Sequence, residues 1–307
     1  MNHQSNPRHP AAPIDKVVDA LCDKSAIRHM CPQRRHEGEP LLSNPAVRRI
    51  VRLACGLMFP GFFEDEVVSE LEQRSRMTVD CHELNRLLTS QVCAALCFAD
   101  RDCADCFDGL LRRSNEIAGR FIERLPGLRS VLDTDIDATY LGDPAATSTH
   151  EVIVCYPGLK ATMSYRIAHA LLELGVPVLP RMIAEQAHSD TGIDIHPGAS
   201  IGRSFVIDHG TGVVIGATAI IGENVKIYQG VTIGARSFVK DENDNPVKGI
   251  ARHPIIGDNV VIYSNSTVLG RITVGDGAVI GGNLWVTSPV APGEKLVQAN
   301  PENFRKM

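Results

Sequence analysis

A six-residue repeat in the second half of the chain constrains the fold more than any other feature of the sequence. Aliphatic residues recur at every sixth position in three runs, which make thirteen hexads starting at Ile195, Ile201, Ile207, then Ile215, Ile221, Ile227, Ile233, then Ile256, Ile262, Val268, Val274, Ile280 and Val286. Two interruptions separate the runs, at Val213-Val214 and over the longer segment 239–255. So many hexads in phase indicate a repeat architecture.

The fourth position of the hexads indicates where the chain bends. Glycine or asparagine fills it in eight hexads: Gly198, Gly210, Asn224, Gly230, Asn259, Asn265, Gly277 and Asn283. Both residue types tolerate positive φ, so short flat faces joined by tight corners are expected. Three such faces close a triangular coil, and successive coils stack as parallel strands about 4.8 Å apart. The repeated aliphatic side chains then form one continuous core.

The composition of the chain changes near residue 192. Of the 26 glycines, 17 lie within residues 192–293, whereas leucine is concentrated before that stretch. Leucine favours helices, while isoleucine and valine favour strands. We therefore predict a disordered tail over 1–13, a helical domain with linker helices over 14–191, and a β domain over 192–307 with a protruding loop at 239–255.

Charge and hydropathy exclude several classes of protein. A net charge of −5 argues against a nucleic-acid binder, which needs clustered Lys and Arg. The sequence contains no apolar run of the roughly 20 residues that a membrane span needs. The first residues lack the apolar segment of a secretory signal, so a cytoplasmic location is expected.

The nine cysteines are expected to be reduced thiols, given their odd number and the missing signal. The Cys103–Cys106 pair, with Cys93 and Cys97 just upstream, leaves a zinc or redox site as one interpretation. Buried helical thiols are the favoured interpretation, because Cys93 and Cys97 lie four residues apart in a helical pattern and no second C-x-x-C completes a zinc site.

A filled prism has no internal cavity, so a site must lie on an outer face, at an interruption or between packed prisms. His209 directly precedes the first interruption, and a neutral imidazole can take a proton from a hydroxyl group. Such a base works best when a carboxylate fixes its other nitrogen. Asp194 lies 15 residues earlier, which is nearly one coil, and is the candidate. The alternative is that His209 is a polar turn residue.

The hexads resemble the left-handed parallel β-helix of the hexapeptide-repeat acyltransferases, and residues 136–291 resemble serine O-acetyltransferases in particular. Five motifs in order carry this resemblance: Gly142–Ala146, Tyr165–His169, Gly192–Ala199, Asp208–Gly212 and Arg252–Pro254. The long N-terminal half and Tyr228–Thr232 resemble the longer bacterial and protist branch of the family. The resemblance implies an α+β chain in which an all-helical domain precedes a left-handed parallel β-helix.

The resemblance also implies an activity without a metal: transfer of acetyl from acetyl-CoA to the L-serine hydroxyl, which gives O-acetyl-L-serine on the route to cysteine. By this resemblance, His209 is the general base and Asp194 orients it. Asp143 and Asp208 bind the serine ammonium group, and Arg252 and His253 bind the serine carboxylate. Carboxylates suit an ammonium group, and a guanidinium offers a paired donor to a carboxylate. We expect the pantetheine arm beside small residues of the prism, namely Gly234, Ala235, Ser264 and Gly282.

Family resemblance further implies homotrimers or dimers of trimers, with sites between adjacent prisms, and feedback inhibition by L-cysteine at the serine site. One departure concerns the last residues. The segment Gln298–Asn303 replaces the usual G-x-P-A-[RK], and the chain stops at Met307 without the long tail ending in Ile that docks O-acetylserine sulfhydrylase. We therefore do not expect a sulfhydrylase complex.

Three other interpretations remain at this point. A related acetyltransferase could act on a sugar or another small hydroxyl acceptor with the same histidine, although an acid pair and an arginine favour an amino acid. A zinc carbonic anhydrase on the same prism needs three His ligands, two of them spaced H-x4-H, and His196, His209 and His253 do not show that spacing. A scaffold or regulatory trimer would leave His209 dispensable.

Overall fold

The computed structural model describes residues 14–23, 25, 38–63, 69–99, 107–237 and 239–298. The chain divides into two compact units, 1–39 and 40–307. The first unit contributes helix α1 (Ile14–Cys22). The predicted tail 1–13, the Cys103–Cys106 pair and residues 299–307 lie outside the described residues.

The described part of the second unit begins with six helices: α2 (Asn44–Met58), α3 (Glu70–Ala99), α4 (Phe107–Gly142), α5 (Thr149–Cys155), α6 (Pro157–Glu173) and α7 (Leu179–Thr191). The 3–4 spacing in α3 predicts one buried face, and Leu84, Leu88, Val92 and Ala95 are all fully buried. Within the described ranges, the helices offer no apolar stretch long enough to cross a membrane.

The apolar spacing over 152–174 predicts an amphipathic helix, but the structure divides this stretch into α5 and α6 at Tyr156. This residue precedes Pro157 and is extended, with φ −82° and ψ 117°. A residue before proline avoids helical angles, which explains the break. The first turn of α6 then lies directly on the second half of the chain, because a Cβ added to Gly158 would come within 2.1 Å of the Ile207 carbonyl oxygen.

Residues from 194 onward form a parallel β-solenoid of about five coils. Its short strands are β1 (Asp194–Ile195), β2 (Ser200–Ile201), β3 (Val206–Asp208), β4 (Val214–Ile215), β5 (Ile220–Ile221), β6 (Lys226–Tyr228), β7 (Thr232–Gly234), β8 (Ile255–Ile256), β9 (Val261–Ile262), β10 (Thr267–Leu269), β11 (Thr273–Val274), β12 (Val279–Ile280), β13 (Trp285–Val286) and β14 (Lys295–Leu296). They stack into three faces. Face A is β1-β4-β7-β10-β13, face B is β2-β5-β8-β11, and face C is β3-β6-β9-β12-β14.

The repeated aliphatic residues form the solenoid core, as the hexads predict. Twelve of the thirteen are buried, and Ile201 is partly buried against the same core. The first interruption changes which residue points inward. Thr211 is exposed and Val213 is fully buried, so the two extra residues widen the corner and Val213 fills the core.

The corners adopt the predicted left-handed backbone at seven of the eight fourth positions, with φ between 55° and 90°. Gly198 is the exception. Glycine is needed there for a different reason, because a Cβ would lie 2.9 Å from the Ala217 carbonyl oxygen.

A buried ion pair joins the helices to the corner between β2 and β3 of the solenoid. Arg166 of α6 meets Asp135 of α4 through two bonds, Nε–Oδ2 at 2.7 Å and Nη2–Oδ1 at 2.9 Å. Arg166 also donates to the Gly202 carbonyl at 2.8 Å, and Asp135 accepts the Phe205 N–H at 2.9 Å. The pair therefore fixes the position of the solenoid relative to α4 and α6.

We expect Arg166→Met to destabilise the protein strongly. It leaves the Asp135 carboxylate buried, and burial already raises the pKa of this carboxyl group despite the nearby guanidinium. Removing one partner of a buried pair costs about 3–5 kcal/mol. Arg124→Met is the matched control, because its pair with Glu173 is exposed and is worth at most about 1 kcal/mol. Urea unfolding measures both, and equal losses would contradict the role of the buried pair.

Candidate active site

The predicted site residues of the solenoid lie along the two edges that border face A or on face A itself, apart from Asp208, which ends β3 on face C. We call the edge between faces C and A the His209 edge; its corners are 209–213, 229–231, 263–266 and 281–284. We call the edge between faces A and B the His253 edge; its corners are 196–199, 216–219, 235–254 and 270–272.

His209 stands at the corner after β3 and points outward, with 75% of its side chain exposed. Its backbone has φ 58°, which is uncommon for a residue other than glycine and is found at functional positions. Its Nε2 lies 3.9 Å from Asp208 Oδ1. The imidazole is therefore presented to solvent beside a carboxylate rather than packed into the core.

Asp143 follows α4 and approaches the same edge. Its carboxylate accepts the Tyr156 hydroxyl at 2.6 Å and the Ala145 N–H at 2.8 Å. These two hydrogen bonds, together with the positive charge of Lys226 and the neighbouring His209, hold the pKa of Asp143 below its usual value. Asp143 is therefore an ionised acceptor at neutral pH. Tyr156, at the break between α5 and α6, was not found by sequence reasoning.

Lys226 of β6 is a second residue that sequence reasoning missed. Its Nζ lies 2.9 Å from Asp208 Oδ2 and donates to the Gly142 carbonyl at 2.8 Å. Burial opposes its charge, but Asp208 and Tyr228 outweigh burial and raise the pKa of Lys226. The lysine thus ties Asp208 to the loop that carries Asp143. Its outward direction could have been inferred from its place before Ile227 in the hexad.

On the other edge, His253 is buried and held in one tautomer. Its Nδ1 accepts the Thr218 backbone N–H at 3.0 Å, so the proton of the neutral ring is on Nε2. Burial above all, and then the charge of Arg252, lower the pKa of His253 to about 4. His253 is therefore a neutral N–H donor at physiological pH.

Thr218 also positions the backbone of the Arg252-His253 pair. Its hydroxyl oxygen accepts the Arg252 N–H at 2.9 Å and the His253 N–H at 3.2 Å. Arg271 donates to the His253 carbonyl at 2.9 Å from the next coil. Thr218 carries no sequence signal of its own, because threonine is common on solenoid surfaces.

Asp194 lies at the start of β1 on face A. Its Oδ1 is buried and takes no hydrogen bond within the described part of the chain, and the Arg181 guanidinium is 3.9 Å away. Among the ion pairs of the described residues, none joins Asp194 to His209. A single chain therefore does not form the predicted pair.

The four residues predicted to contact acetyl-CoA also lie on different parts of the solenoid. Gly234 ends β7 on face A and Ala235 follows it on the His253 edge, whereas Ser264 and Gly282 are stacked on the His209 edge. A Cβ added to Gly282 would lie 3.3 Å from the Ser264 carbonyl oxygen. Among the described residues, no three His, Cys, Asp or Glu side chains are grouped to hold a metal ion.

Comparison with known proteins identifies the family. A model described as "Bacterial transferase hexapeptide (six repeats)" matches residues 253–288. A plasmid-encoded serine acetyltransferase of Synechococcus elongatus is 55% identical over 299 residues, which cover 95% of this chain and 93% of that protein. The chain belongs to the serine acetyltransferase family.

Other members extend the likeness to structure. The crystal structure of Entamoeba histolytica serine acetyltransferase 1 in complex with L-cysteine has a TM-score of 0.71 and 35% identity, covering 92% of this chain and 94% of that one. Soybean serine acetyltransferase complexed with serine has a TM-score of 0.53 and 30% identity, covering 84% and 96%. The predicted fold, a helical region followed by a left-handed parallel β-helix, is confirmed, and so is the predicted family.

Proposed function

We propose that this chain transfers the acetyl group of acetyl-CoA to the hydroxyl of L-serine, giving O-acetyl-L-serine and CoA, in the synthesis of cysteine. Membership of the serine acetyltransferase family supports the reaction. The observation that carries the mechanism is the outward His209 imidazole, with the carboxylates of Asp143 and Asp208 beside it at one edge. An imidazole among acids is suited to a hydroxyl nucleophile that carries an ammonium group.

His209 acts as general base in this proposal. Its imidazole takes the hydroxyl proton while the serine oxygen attacks the thioester carbon, because a free hydroxyl is too weak an acid to ionise first. The tetrahedral intermediate then expels the CoA sulfur, which receives the proton from the imidazolium. Holding both substrates in one cleft supplies the proximity.

Serine is bound through both of its charged groups. The ionised Asp143, and Asp208 through the oxygen that faces His209, accept from the ammonium group. Arg252 binds the carboxylate, and the neutral His253 donates its Nε2 proton to it. L-cysteine carries the same two charged groups, so we propose that it inhibits by competing at this site. The Entamoeba structure in complex with L-cysteine supports this assignment.

The site is completed between protomers of a homotrimer or a dimer of trimers. The general base and the residues that bind the serine ammonium group lie at the His209 edge, and the residues that bind the serine carboxylate lie on the His253 edge. When the His209 edge of one protomer meets the His253 edge of the next, the contact is heterologous and can close into a ring. Because the prism is triangular, a ring of three protomers fits this contact. Asp194 of the adjacent protomer would then accept from the second nitrogen of His209, which gives the buried Oδ1 a donor.

Acceptor specificity tests the proposed function. CoA release would be measured with L-serine, with ethanolamine, which lacks the carboxylate, and with 3-hydroxypropionate, which lacks the ammonium group. We expect L-serine to exceed both by about 10²-fold or more in kcat/KM, since each analogue loses two charge-assisted contacts, each worth about 1.5–3 kcal/mol. Sugars would be assayed as well, because they are the acceptors of the alternative acetyltransferase. A preference for a sugar would overturn the proposal.

We further expect Gly216→Ala to weaken serine binding selectively. A Cβ at Gly216 would lie 2.0 Å from the His253 ring, and the backbone there does not need glycine, because its φ is not positive. Displacing the ring removes one hydrogen bond, so the KM for L-serine should rise about tenfold while that for acetyl-CoA is unchanged. Gly127→Ala is the control, because nothing lies near that position. An unchanged KM for L-serine would contradict the role of His253.

A further inference from the structure

A cavity of about 490 Å³ lies in the helical half of the chain, between α2, α5, α6 and α7. Its described lining runs from residue 48 to residue 191, so the cavity is separate from both edges of the solenoid. Small-molecule sites have volumes of about 300–1,000 Å³ and often lie between the helices of a bundle. The cavity therefore has the size and position of a binding site, and no step of the proposed reaction takes place in it.

The floor of the cavity is apolar. It is formed by the side chains of Val51, Cys55, Phe63, Ile153, Met163 and Ile183. The Cys55 thiol is neutral, because burial raises its pKa to about 12 despite the positive charge of Lys160, and a thiol is a poor nucleophile compared with a thiolate. Ser164, a buried hydroxyl in the lining, already donates to the Lys160 carbonyl at 3.0 Å. The floor therefore fits an uncharged apolar body that binds without a covalent step.

The rim of the cavity carries more positive than negative charge. Arg48 Nη1 and Lys160 Nζ lie 3.2 Å and 3.1 Å from the carboxylate of Asp190. Burial opposes the charge of Asp190, but the hydrogen bonds from Lys160 and Arg48 outweigh it and hold the pKa of Asp190 below its usual value. Among the lining residues that the structure describes, Asp190 is the only acid, and it neutralises only one of these two cations. A second carboxylate at the rim would restore neutrality.

The first turn of α6 connects the cavity to the candidate active site. Tyr156 and Pro157 line the cavity, and no described side chain caps the N-terminus of α6, so its partial positive charge also favours an anion nearby. The Tyr156 hydroxyl donates to Asp143 at 2.6 Å, and Gly158 packs against the Ile207 carbonyl. A ligand in the cavity therefore contacts the same turn that positions Asp143.

We propose that this cavity is an effector site for a small apolar monocarboxylate, coupled to the serine site through Tyr156. The carboxylate lies between Arg48 and Lys160, and an aryl or branched aliphatic body covers the floor. A free amino acid does not fit, because the cations of the rim repel its ammonium group. An occupied cavity stabilises the arrangement in which Tyr156 donates to Asp143, so the effector raises the affinity for L-serine. The coupling, though not the binding, rests on the proposed function.

The binding test uses three probes of the same size: 3-phenylpropionate, 3-phenylpropanol and 3-phenylpropylamine, which are an anion, a neutral molecule and a cation. Calorimetry on the whole chain, without substrates, would give the Kd of each probe. We expect the carboxylate to bind about tenfold more tightly than the alcohol, because only the carboxylate makes charge-assisted hydrogen bonds at the rim. The amine should bind most weakly of the three.

Two variants separate the rim from the floor. Lys160→Met should weaken 3-phenylpropionate about tenfold and leave 3-phenylpropanol unchanged. Lys240→Met is the matched control, because Lys240 is similarly exposed and also pairs with one aspartate, Asp244. Ala187→Leu adds volume to the lining and should weaken the carboxylate and the alcohol alike. Thermal unfolding would confirm that each variant is folded.

The coupling is measured by calorimetry with both ligands. Saturating 3-phenylpropionate should lower the Kd of L-serine about fivefold, and L-serine should lower the Kd of 3-phenylpropionate by the same factor, because coupling between two sites is reciprocal. In Tyr156→Phe both effects should disappear, since the phenyl ring cannot donate to Asp143. The cavity should still bind 3-phenylpropionate in that variant.

Four outcomes would overturn the inference. The carboxylate could bind no more tightly than the amine, or Lys160→Met and Lys240→Met could weaken it equally. The Kd of L-serine could stay unchanged or rise, and a rise would place the probe in the serine site. Sedimentation could show that the probe changes the oligomeric state, which would make a partner protomer the occupant. If only the proposed function fails, the unmodified protein releases no CoA with L-serine, while 3-phenylpropionate still binds and Lys160→Met still weakens it.

Discussion

Replacing His209 with alanine should lower kcat by at least about 10²-fold, because general-base catalysis by a positioned side chain contributes about 10²–10⁴. The serine hydroxyl would then lose its proton only to water, while both substrates remain bound. We therefore expect the KM values for L-serine and acetyl-CoA to stay close to those of the unmodified protein. Steady-state CoA release measures all three constants.

The control for His209 is His188→Ala on α7, another partly exposed histidine beside a carboxylate, that of Glu185. Because His209 is exposed at a corner and packs little apolar surface, its removal should leave the thermal unfolding of the protein nearly unchanged. The left-handed backbone at residue 209 is kept in His209→Asn, since asparagine tolerates positive φ. Equal turnover in His209→Asn and the unmodified protein would remove His209 from the mechanism.

Arg252→Met should produce the second large effect, and this effect should appear in kcat/KM for L-serine. Losing a charge-assisted contact with the serine carboxylate costs about 1.5–3 kcal/mol, and the neutral His253 cannot replace the charge, so kcat/KM for L-serine should fall about 10–10²-fold. Activity with ethanolamine, which has no carboxylate, should not change. Arg203→Met, an exposed arginine on the edge between faces B and C, is the control. A matching loss with ethanolamine would assign Arg252 to another role.

The repeat explains why so much of the solenoid could be predicted. An inward aliphatic residue at every sixth position and an asparagine or glycine at the corners leave few alternative packings, and the buried positions followed them from Ile195 to Val286. The helical half was less certain, because a 3–4 periodicity does not show where a helix stops. Tyr156 illustrates this, since its extended backbone before Pro157 divided a stretch that looks continuous.

The contacts made by the loop that carries Asp143 could not be derived from spacing. Tyr156 and Lys226 both contact the Asp143 loop, by bonds that join segments 13 and 84 residues apart, and no local pattern reports such contacts. The pairing of Asp194 with His209 stays a prediction. Near-coil spacing places Asp194 about one coil from His209, but in the described part of the chain Asp194 lies on face A beside Arg181, and no ion pair joins it to His209.

The claim that the site is shared between protomers can be tested by mixing two inactive variants. His209→Ala damages one edge and Arg252→Met damages the other, so each homotrimer has three defective sites. In a mixed trimer, one boundary brings an intact His209 edge to an intact His253 edge, and an equal random mixture should recover about a quarter of the unmodified activity. Co-refolded mixtures would be assayed for CoA release at L-serine concentrations well below KM. Activity that stays at the level of the separate variants would show that each site lies within one chain and would contradict the account.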